Sequence, residues 1–465
     1  GCTSLTDIKL GEKVKTIGGA AFKNCKSLTS FIIPDQVKYI NSETFYDCTN
    51  LASIKIGESV CGFGYYAFQG CYKLKNVDIN NLDNWLKIDF NSEYYNYDNP
   101  LYVGGNSEEG GVVNMLIKGN VITDIVIPDN VEVLKSNVFG YANIIYMELH
   151  ENVKTIEYNA IPSSVKRLRF KSSTPPTLKS SPAGDAYSLG NVAIVYVPSG
   201  CIPTYKNMGC WSLANTVFTD GNIKTAEVTV TPGMLGEEIL NLGHISYLHE
   251  VNDLAIKGSV NSIDIDNIKY SMPNLMSIDM SGLDMSSIPE EMFKGRRALL
   301  SIILPNNVTT IGRGAFNGCS NIESIVLPEG LKTISAGYSD NNDGCFSGCA
   351  SLKTVLFPST IETIGRYAFY SCRSLRDIKF SDTVNELSIG ERAFSGCSSL
   401  SYIKLPEGTT SIGQLAFEYC SSLIMVSFPK SLRTISSGAF YYCRSLREIS
   451  LDGVTSIGYR YETSD

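Results

Sequence analysis

One pattern of apolar positions recurs along most of the chain. After a leucine, apolar residues follow at three and five places, often a proline at six, and usually aliphatic residues at nine and twelve. A phenylalanine then stands at seventeen and a cysteine at twenty, as in LKTVLFPSTIETIGRYAFYSC, residues 352–372. The best copies begin at Leu28, Leu51, Leu299, Leu352, Leu400 and Leu423. A period of about 20–29 residues with this pattern predicts a solenoid of stacked rungs.

Within one rung the spacing of the apolar positions changes character. Val355 and Phe357 fit a short strand whose alternate residues face inward, and Pro358 ends that strand. The apolar positions of 364–372 instead follow helical spacing, which begins at Gly365. We therefore expect each rung to hold a strand, a turn, a second extended segment and one or two helical turns. Because one rung cannot bury its apolar residues alone, stacking of neighbours must supply the core.

The cysteines mark the same position in successive rungs. Ten of the fourteen lie at the end of the repeat, and Cys25, Cys48 and Cys71 are 23 residues apart. Residues of one column stack about 4.8 Å apart with parallel Cβ directions, whereas a disulfide needs converging Cβ atoms about 3.8 Å apart. No CxxC pair occurs, and no histidine stands beside Cys345 and Cys349 to suggest a zinc site. We predict buried free thiols that act as small apolar side chains.

The consensus L-x-x-I-x-L-P-x-x-V-x-x-I-G-x-x-A-F-x-x-C resembles that of the BspA-like leucine-rich repeat family of bacterial cell-surface proteins. In that family proline replaces the asparagine of common leucine-rich repeats, as it does at Pro34, Pro305, Pro328, Pro358, Pro406 and Pro429. The resemblance implies an α/β solenoid, a right-handed superhelix with rungs of about 23 residues, short parallel strands and short helical turns. It also implies an extracellular or cell-surface location and a binding or adhesive role, without a particular ligand.

Interruptions of the period predict the domain plan. The predicted parts are a first block at 1–218 with an insertion at about 80–120 and a terminal cap at about 171–218, a linker at 219–224, and a second block at 225–465 that opens with a cap at about 225–298. The chain begins inside a repeat, without a signal peptide, and in its last rung Tyr461 and Glu462 replace the usual Ala-Phe. We expect both ends to be open solenoid edges of a longer or processed protein.

Charge and hydropathy narrow the class of partner. The net charge is −8 and no block of basic residues occurs, so a nucleic-acid partner is not expected. No apolar run reaches the roughly 18 residues that a membrane-spanning helix needs, so this chain contains no predicted transmembrane segment. The expected partner is a protein or a host-matrix ligand, and a glycan is the other possibility.

Candidate chemistry is sparse. Residues 62–67, GFGYYA, match a relaxed dinucleotide fingerprint, but no βαβ unit surrounds them. Residues 339–344, SDNNDG, resemble the start of a calcium loop, yet Ala350 stands where the bidentate carboxylate would be. The histidines show no metal or triad spacing and are His150, His244 and His249. We therefore predict no enzyme, no cofactor and no metal site.

Side chains that alternate outward from the strands are the first candidate binding surface. In the second block this register gives the candidate partner-binding residues Ile303, Val326, Leu356, Lys379, Tyr402, Lys404 and Met425. Contiguous exposed apolar side chains often mark a partner site, and the two lysines could orient an acidic partner at the rim. The alternative is that these residues only suit a strand or touch a loop.

Aromatic residues give two further candidate surfaces. The insertion contributes the candidate patch Trp85, Tyr94, Tyr95, Tyr97 and Tyr102, whose flat rings suit sugars and protein hot spots. The alternative is that they attach the insertion to its own scaffold. Tyrosines of the outer turn, which could equally be half-buried spacers, are Tyr65, Tyr66, Tyr367, Tyr370, Tyr419, Tyr441 and Tyr442.

The function expected from these observations is that of a non-enzymatic, adhesion-type surface protein that binds a protein or host ligand. The alternative is a glycan-binding accessory surface protein that works through the aromatic insertion.

Overall fold

The computed structural model forms two compact units, Gly1–Asn222 and Ile223–Asp465. The unit boundary falls within the predicted 219–224 linker, while the other predicted domain boundaries stay predictions. The residues that the structure describes are 1–90, 99–102, 113–180, 189, 191–210, 216–338, 342–449, 451 and 454–458.

Mostly parallel strands build the first unit. They are β1 (Ser30–Ile32), β2 (Tyr39–Ile40), β3 (Ser53–Ile56), β4 (Gly62–Phe63), β5 (Asn76–Ile79), β6 (Asn114–Ile117), β7 (Asn120–Val121), β8 (Asp124–Val126), β9 (Val133–Leu134), β10 (Tyr146–Leu149), β11 (Thr155–Ile156), β12 (Arg167–Phe170), β13 (Thr177–Leu178), β14 (Ile194–Tyr196) and β15 (Val217–Thr219). Strands β1, β3, β5 and β6 form one parallel sheet, to which β7 adds antiparallel. Strands β8, β10, β12, β14 and β15 form another. The helical segments are α1 (Leu82–Trp85), α2 (Ile202–Lys206) and the 3₁₀ turn Pro100–Tyr102.

The second unit repeats the plan with greater regularity. Its strands are β16 (Thr225–Val230), β17 (Asp253–Gly258), β18 (Ser277–Leu283), β19 (Ser287–Ile288), β20 (Ser301–Ile303), β21 (Thr310–Ile311), β22 (Ser324–Val326), β23 (Thr333–Ile334), β24 (Thr354–Phe357), β25 (Thr363–Ile364), β26 (Asp377–Phe380), β27 (Thr383–Ile389), β28 (Tyr402–Lys404), β29 (Glu407–Ile412), β30 (Met425–Ser427), β31 (Thr434–Ile435), β32 (Glu448–Ile449) and β33 (Ser456–Ile457). The odd-numbered strands from β19 to β33 form one eight-stranded ladder of mostly short strands. The helical segments are α3 (Leu235–Leu240), α4 (Ser262–Asp266), the 3₁₀ turn Leu248–Glu250 and the π turn Asn267–Ser271.

Each regular rung gives one strand to each of two ladders. In the rung of residues 352–372, strand β24 is the first and β25 is the predicted second extended segment, which is thereby confirmed. Val355 and Phe357 are buried, whereas Thr354 and Leu356 point outward. The parallel-strand solenoid and the inward and outward register predicted from the sequence are confirmed.

The segment after the second strand is not helical, so the predicted helical turns are wrong. The N–H groups of Tyr367, Phe369 and Ser371 donate to carbonyls of the next rung at 2.7–3.0 Å, instead of to carbonyls of their own segment. Between them, Ala368 and Tyr370 donate to carbonyls three residues back. Tyr367 and Ser371 have positive φ, which no α-helix tolerates. The spacing of apolar residues resembles a helix because a chain of tight turns also brings every third or fourth residue to one side.

We name the turn edge the side of the solenoid formed by the segments that follow the second strand of each rung. Its phenylalanines stack into a continuous column in the second unit. Neighbouring ring centroids are 5.0–5.4 Å apart and the rings lie within 9° of parallel. The column consists of Phe293, Phe316, Phe346, Phe369, Phe394, Phe417 and Phe440. Each of the inner rings is shared by two rungs, which is why no rung can be stable alone.

The cysteine column consists of free thiols that also donate hydrogen bonds. All fourteen cysteines are free. The Cys319 thiol lies 2.9 Å from the carbonyl oxygen of Phe293, one rung back, and Cys372 makes the same contact with Phe346 at 3.2 Å. Burial raises the pKa of the Cys48 thiol to about 11 and that of Cys319 to about 12. These thiols therefore stay neutral, and the structure adds a donor role to the predicted role as small apolar residues.

Where the second strand of a rung meets the turn edge, the backbones of neighbouring rungs come so close that only glycine fits. A Cβ on Gly413 would lie 2.5–2.8 Å from backbone atoms of Gly390 and Glu391, and Gly390 meets the preceding rung in the same way. Neither glycine has a positive φ, so the requirement is for space and not for a left-handed conformation.

Candidate binding surface

The predicted partner-binding residues of the second unit lie on the open face of its strands. Ile303 is 50% exposed, Val326 is 73% exposed and Leu356 is 46% exposed. In each of the strands β20, β22 and β24 the residue between the outward ones is buried in the core. We name these three exposed side chains the apolar row.

Strand pairing aligns part of the apolar row. Val326 pairs with Leu356, and Leu356 pairs with Lys379 of β26. On the other side, Ile303 pairs with Asp279 of β18. Paired residues of neighbouring strands are about 4.8 Å apart in the direction across the sheet. The apolar row therefore lies between an acidic and a basic side chain.

The two lysines of the predicted rim differ in their surroundings. Lys379 is exposed at the position next to the apolar row. Lys404 is also exposed, but its ammonium group lies 3.2 Å from the carboxylate of Asp382. Exposed pairs of this kind contribute little to stability, so an incoming carboxylate could compete for Lys404 at small cost.

Tyr402 and Met425 belong to the neighbouring outward column. They pair with each other on β28 and β30, and both are about half exposed. Their column is the one occupied by Ser324 and Thr354 in earlier rungs. The structure thus places all seven predicted partner-binding residues on the open strand face, in two adjacent columns.

Trp85, which was predicted to belong to the aromatic patch, is a core residue only 2% exposed. Its indole Nε1–H donates to the carbonyl of Val138 at 2.8 Å, and its ring packs against Phe63 and Phe90. A buried, hydrogen-bonded indole attaches the insertion to its scaffold and cannot reach a ligand, so including Trp85 in the patch was wrong. Tyr94, Tyr95 and Tyr97, and the side chain of Tyr102, lie outside the described residues.

The tyrosines of the turn edge divide into two kinds. Tyr367 is buried and packs edge-on against Tyr370, as the spacer alternative predicts. Tyr419 and Tyr442 are exposed and stack with ring centroids 5.0 Å apart, and the Tyr441 ring stands edge-on to Tyr442. Because the rings cover one another, part of their flat surface is already used.

Sequence reasoning missed a cluster of charged and aromatic side chains on the open strand face of the first unit. Strands β10, β12 and β14 place Tyr146 beside Arg167, and Glu148 beside Arg169 and then Tyr196. With Lys171, directly after β12, these six residues form what we name the arginine cluster. The alternation in YMEL, RLRF and IVY was the available signal, but these rungs depart from the clear consensus.

Glu148 holds the arginine cluster together. Its carboxylate accepts a hydrogen bond from the Tyr146 hydroxyl at 2.8 Å and pairs with the Lys171 ammonium at 2.5 Å. Arg169 Nε donates to the Tyr146 hydroxyl at 3.1 Å. The Lys171 hydrogen bond, with help from Tyr146 and Arg169, lowers the pKa of Glu148, so this carboxylate stays ionised.

The two arginines lie over tyrosine rings. The Arg169 guanidinium carbon is 4.6 Å from the centroid of the Tyr196 ring, and that of Arg167 is 5.7 Å from the centroid of the Tyr146 ring. Such contacts are worth about 0.5–1 kcal/mol at exposed sites. They hold each guanidinium group close to the face of a tyrosine ring.

Other candidate chemistry remains sparse in the described part of the chain. Among those residues, no three His, Cys, Asp or Glu side chains come together in a way that could hold a metal ion. Asp343, of the loop that resembled a calcium site, pairs with Arg313 and accepts the N–H of Tyr338. No helix in the described ranges is long and apolar enough to cross a bilayer.

Solved structures that match the chain include leucine-rich repeat proteins of bacteria. A leucine-rich repeat protein from Bacteroides ovatus is 21% identical, with 93% of this chain and 81% of that chain covered and a TM-score of 0.28. A leucine rich cell surface protein from Faecalibacterium prausnitzii is 20% identical, with 73% of this chain and 88% of that chain covered and a TM-score of 0.26. Similarity at this level carries no argument about function.

The sequence of the repeats itself identifies the family. No curated protein matches the chain. The profile of the BspA type leucine rich repeat region matches with six copies, over residues 1–96, 116–182, 245–342 and 339–461. These matches span most of the sequence and follow the rungs of both units, so the chain belongs to the family of proteins with BspA type leucine-rich repeats.

Proposed function

We propose that this protein is a non-enzymatic surface protein that binds a protein partner through the open strand face of its second unit. The observation that carries the proposal is the apolar row, Ile303, Val326 and Leu356, which stands exposed on successive rungs. A single exposed apolar residue is ordinary, but a contiguous group of them marks an interaction surface.

The energetics of the apolar row favour a protein partner. Burial of an exposed aliphatic side chain is worth about 1.5–3 kcal/mol at full burial, so three side chains can supply the apolar centre of an interface. Asp279 and Lys379 lie on either side of the row in register. Charged residues at the rim of an apolar centre set orientation and association rate more than affinity.

The proposed location is the bacterial cell surface. The supporting observation is that the matching repeats are of the BspA type, a repeat family of bacterial cell-surface proteins. Adhesion to a host protein is the corresponding biological role in this proposal.

A paired binding screen tests the proposal. The labelled full chain is applied to an array of host matrix and secreted proteins and, in parallel, to a glycan array. The double variant Val326→Asp with Leu356→Asp is compared with Ile32→Asp with Lys55→Asp, which alters the equivalent outward positions of the first unit.

We expect a protein ligand whose binding is lost in the Val326 and Leu356 variant and kept in the first-unit variant. Loss of binding in both variants, or in neither, would show that the apolar row is not the binding site. Binding confined to the glycan array would favour the glycan-binding alternative, for which Trp85 is no longer a candidate contact because it is buried.

A further inference from the structure

The arginine cluster offers hydrogen-bond donors that the described residues do not use. Arg169 engages its Nε with the Tyr146 hydroxyl, and among the described residues no acceptor is found for its terminal nitrogens. Arg167 has only the ring contact with Tyr146 in the same described part of the chain. A guanidinium has five N–H donors arranged to hold a carboxylate with two parallel hydrogen bonds. Among the described residues, both guanidinium groups therefore keep N–H donors without an acceptor on the strand face.

The cluster carries more positive than negative charge, in a protein that is negative overall. Arg167, Arg169 and Lys171 provide three positive charges, and Glu148 neutralises one of them. Asp124 is exposed on β8 beside Tyr146, on the side away from Arg167. The chain as a whole has a net charge of −8. An acidic ligand is thus attracted to this site while most of the surface repels it.

The cluster is also organised before any ligand arrives. Glu148 is largely buried and fixes Tyr146 and Lys171, while the Tyr196 ring supports Arg169. Holding long side chains in place in advance lowers the entropy cost of binding. Tyrosine and arginine are also the residue types enriched in the energetic centres of protein interfaces.

The distance between the two arginines indicates which ligand conformation would fit. Arg167 and Arg169 are two residues apart on one strand, with Leu168 buried between them, so their Cα atoms are about 6.6 Å apart. An extended peptide presents its alternate side chains at the same interval, since it has the same rise per residue. We propose that the arginine cluster binds an extended acidic peptide segment of a partner protein, with Asp or Glu at alternate positions facing Arg167 and Arg169.

The test uses fluorescent peptides and the full-length chain. The probe contains Glu-Thr-Glu, and the comparison peptides contain Gln-Thr-Gln and Glu-Glu-Thr, the last with its acids on opposite faces of an extended chain. Anisotropy is measured against the wild type, Arg167→Gln, and the double variant Arg167→Gln with Arg169→Gln. The matched control is Lys38→Gln with Lys55→Gln, which removes two positive charges from exposed sites of the same unit.

We expect the Glu-Thr-Glu peptide to bind at least about tenfold more tightly than Gln-Thr-Gln and about threefold more tightly than Glu-Glu-Thr. The double arginine variant should lose about tenfold in affinity, while the lysine control should stay within about twofold. Arg167→Gln alone keeps every contact of Glu148 and should lose part of the affinity, so misfolding of the double variant would not remove the test.

Three results would overturn the proposal. The first is equal affinity for the Glu-Thr-Glu and Gln-Thr-Gln peptides, and the second is an equal loss in the arginine variants and the lysine control. The third is arginine-dependent binding of a heparin fragment without binding of the acidic peptide, which would assign the cluster to sulfated polysaccharides.

Discussion

The turn edge and the strand face of the same rungs differ in how much the residue type varies from one rung to the next. At the turn edge the same residue types return in successive rungs, with Phe and Cys three residues apart. On the strand face, one outward position holds Ile303, Val326 and Leu356 in turn and then changes to Lys379 and Lys404. The two regions share one backbone, so the difference shows which positions the fold restricts and which it leaves to binding.

Packing explains the restriction at the turn edge. Phe369 lies between Phe346 and Phe394, and its backbone N–H donates to the next rung. A change there disturbs two neighbours at once. An outward side chain such as Leu356 has solvent on one side and can change without altering the core.

The strand faces of the two units differ in a second way. The first unit presents the arginine cluster, built around Glu148, and the second presents the apolar row centred on Val326. One strand pattern therefore carries two surfaces of different chemistry.

The largest expected effect comes from the phenylalanine column. Phe369→Ala should lower the free energy of unfolding by about 3–5 kcal/mol, because it leaves a cavity between two stacked rings. Leu356→Ala, in the same rung but half exposed, is the control and should change it by less than about 1 kcal/mol. Chemical denaturation measures both, and equal costs would contradict the assignment of the two regions.

The glycine contact between rungs should have the next largest effect. Gly413→Ala should destabilise the protein by about 1–3 kcal/mol, because its Cβ would lie 2.5 Å from the Gly390 carbonyl carbon. Gly330→Ala meets only the Val308 carbonyl oxygen, at 3.7 Å, and should be neutral or slightly stabilising. Thermal unfolding of the two variants compares them, and equal melting temperatures would show that the rungs can separate to admit a methyl group.

The cysteine column should make stability depend on alkaline pH. The pKa of Cys319 is about 12 in the folded protein and about 8.5 in an unfolded chain. Between these values only the unfolded chain releases the proton, so the free energy of unfolding falls by about 1.4 kcal/mol per pH unit for this thiol. Cys319→Ala should reduce the slope by that amount.

Urea denaturation with a reductant, at pH of about 9.5, 10 and 10.5, measures the slope within that window. Cys2→Ala, at an exposed site, is the control and should leave the slope unchanged. An unchanged slope in Cys319→Ala would mean that this thiol is not held neutral by burial.

The smallest effect on stability is expected on the strand face. Val326→Asp should change the free energy of unfolding by less than about 0.5 kcal/mol, because the side chain is 73% exposed. The same variant should weaken partner binding, so stability and binding separate at this position. A loss of several kcal/mol in the free energy of unfolding would instead show that Val326 packs as a core residue, and that packing restricts the strand face as it restricts the turn edge.

The sequence alone determined the repeat period, the buried columns and the outward register. A solenoid makes this possible, since each rung repeats the environment of its neighbours and one period encodes most contacts. The free state of Cys319 and Cys372 also followed, because a single column cannot bring Cβ directions together. The exposure of Ile303, Val326 and Leu356 followed from alternation along a strand.

Where the repeat period gave no information, only the tertiary structure decided which contacts form. The turn edge looks helical in sequence, but its N–H groups find carbonyls in the next rung, a choice that depends on the stacked neighbour. Trp85 looks like a surface aromatic, but Val138, 53 residues away, accepts its N–H in the core. The arginine cluster arises because strand register brings Glu148 beside Arg169, although 21 residues separate them in sequence. The contacts of Trp85 and Glu148 could not be read from a regular spacing, because the rungs that make them depart from the repeat.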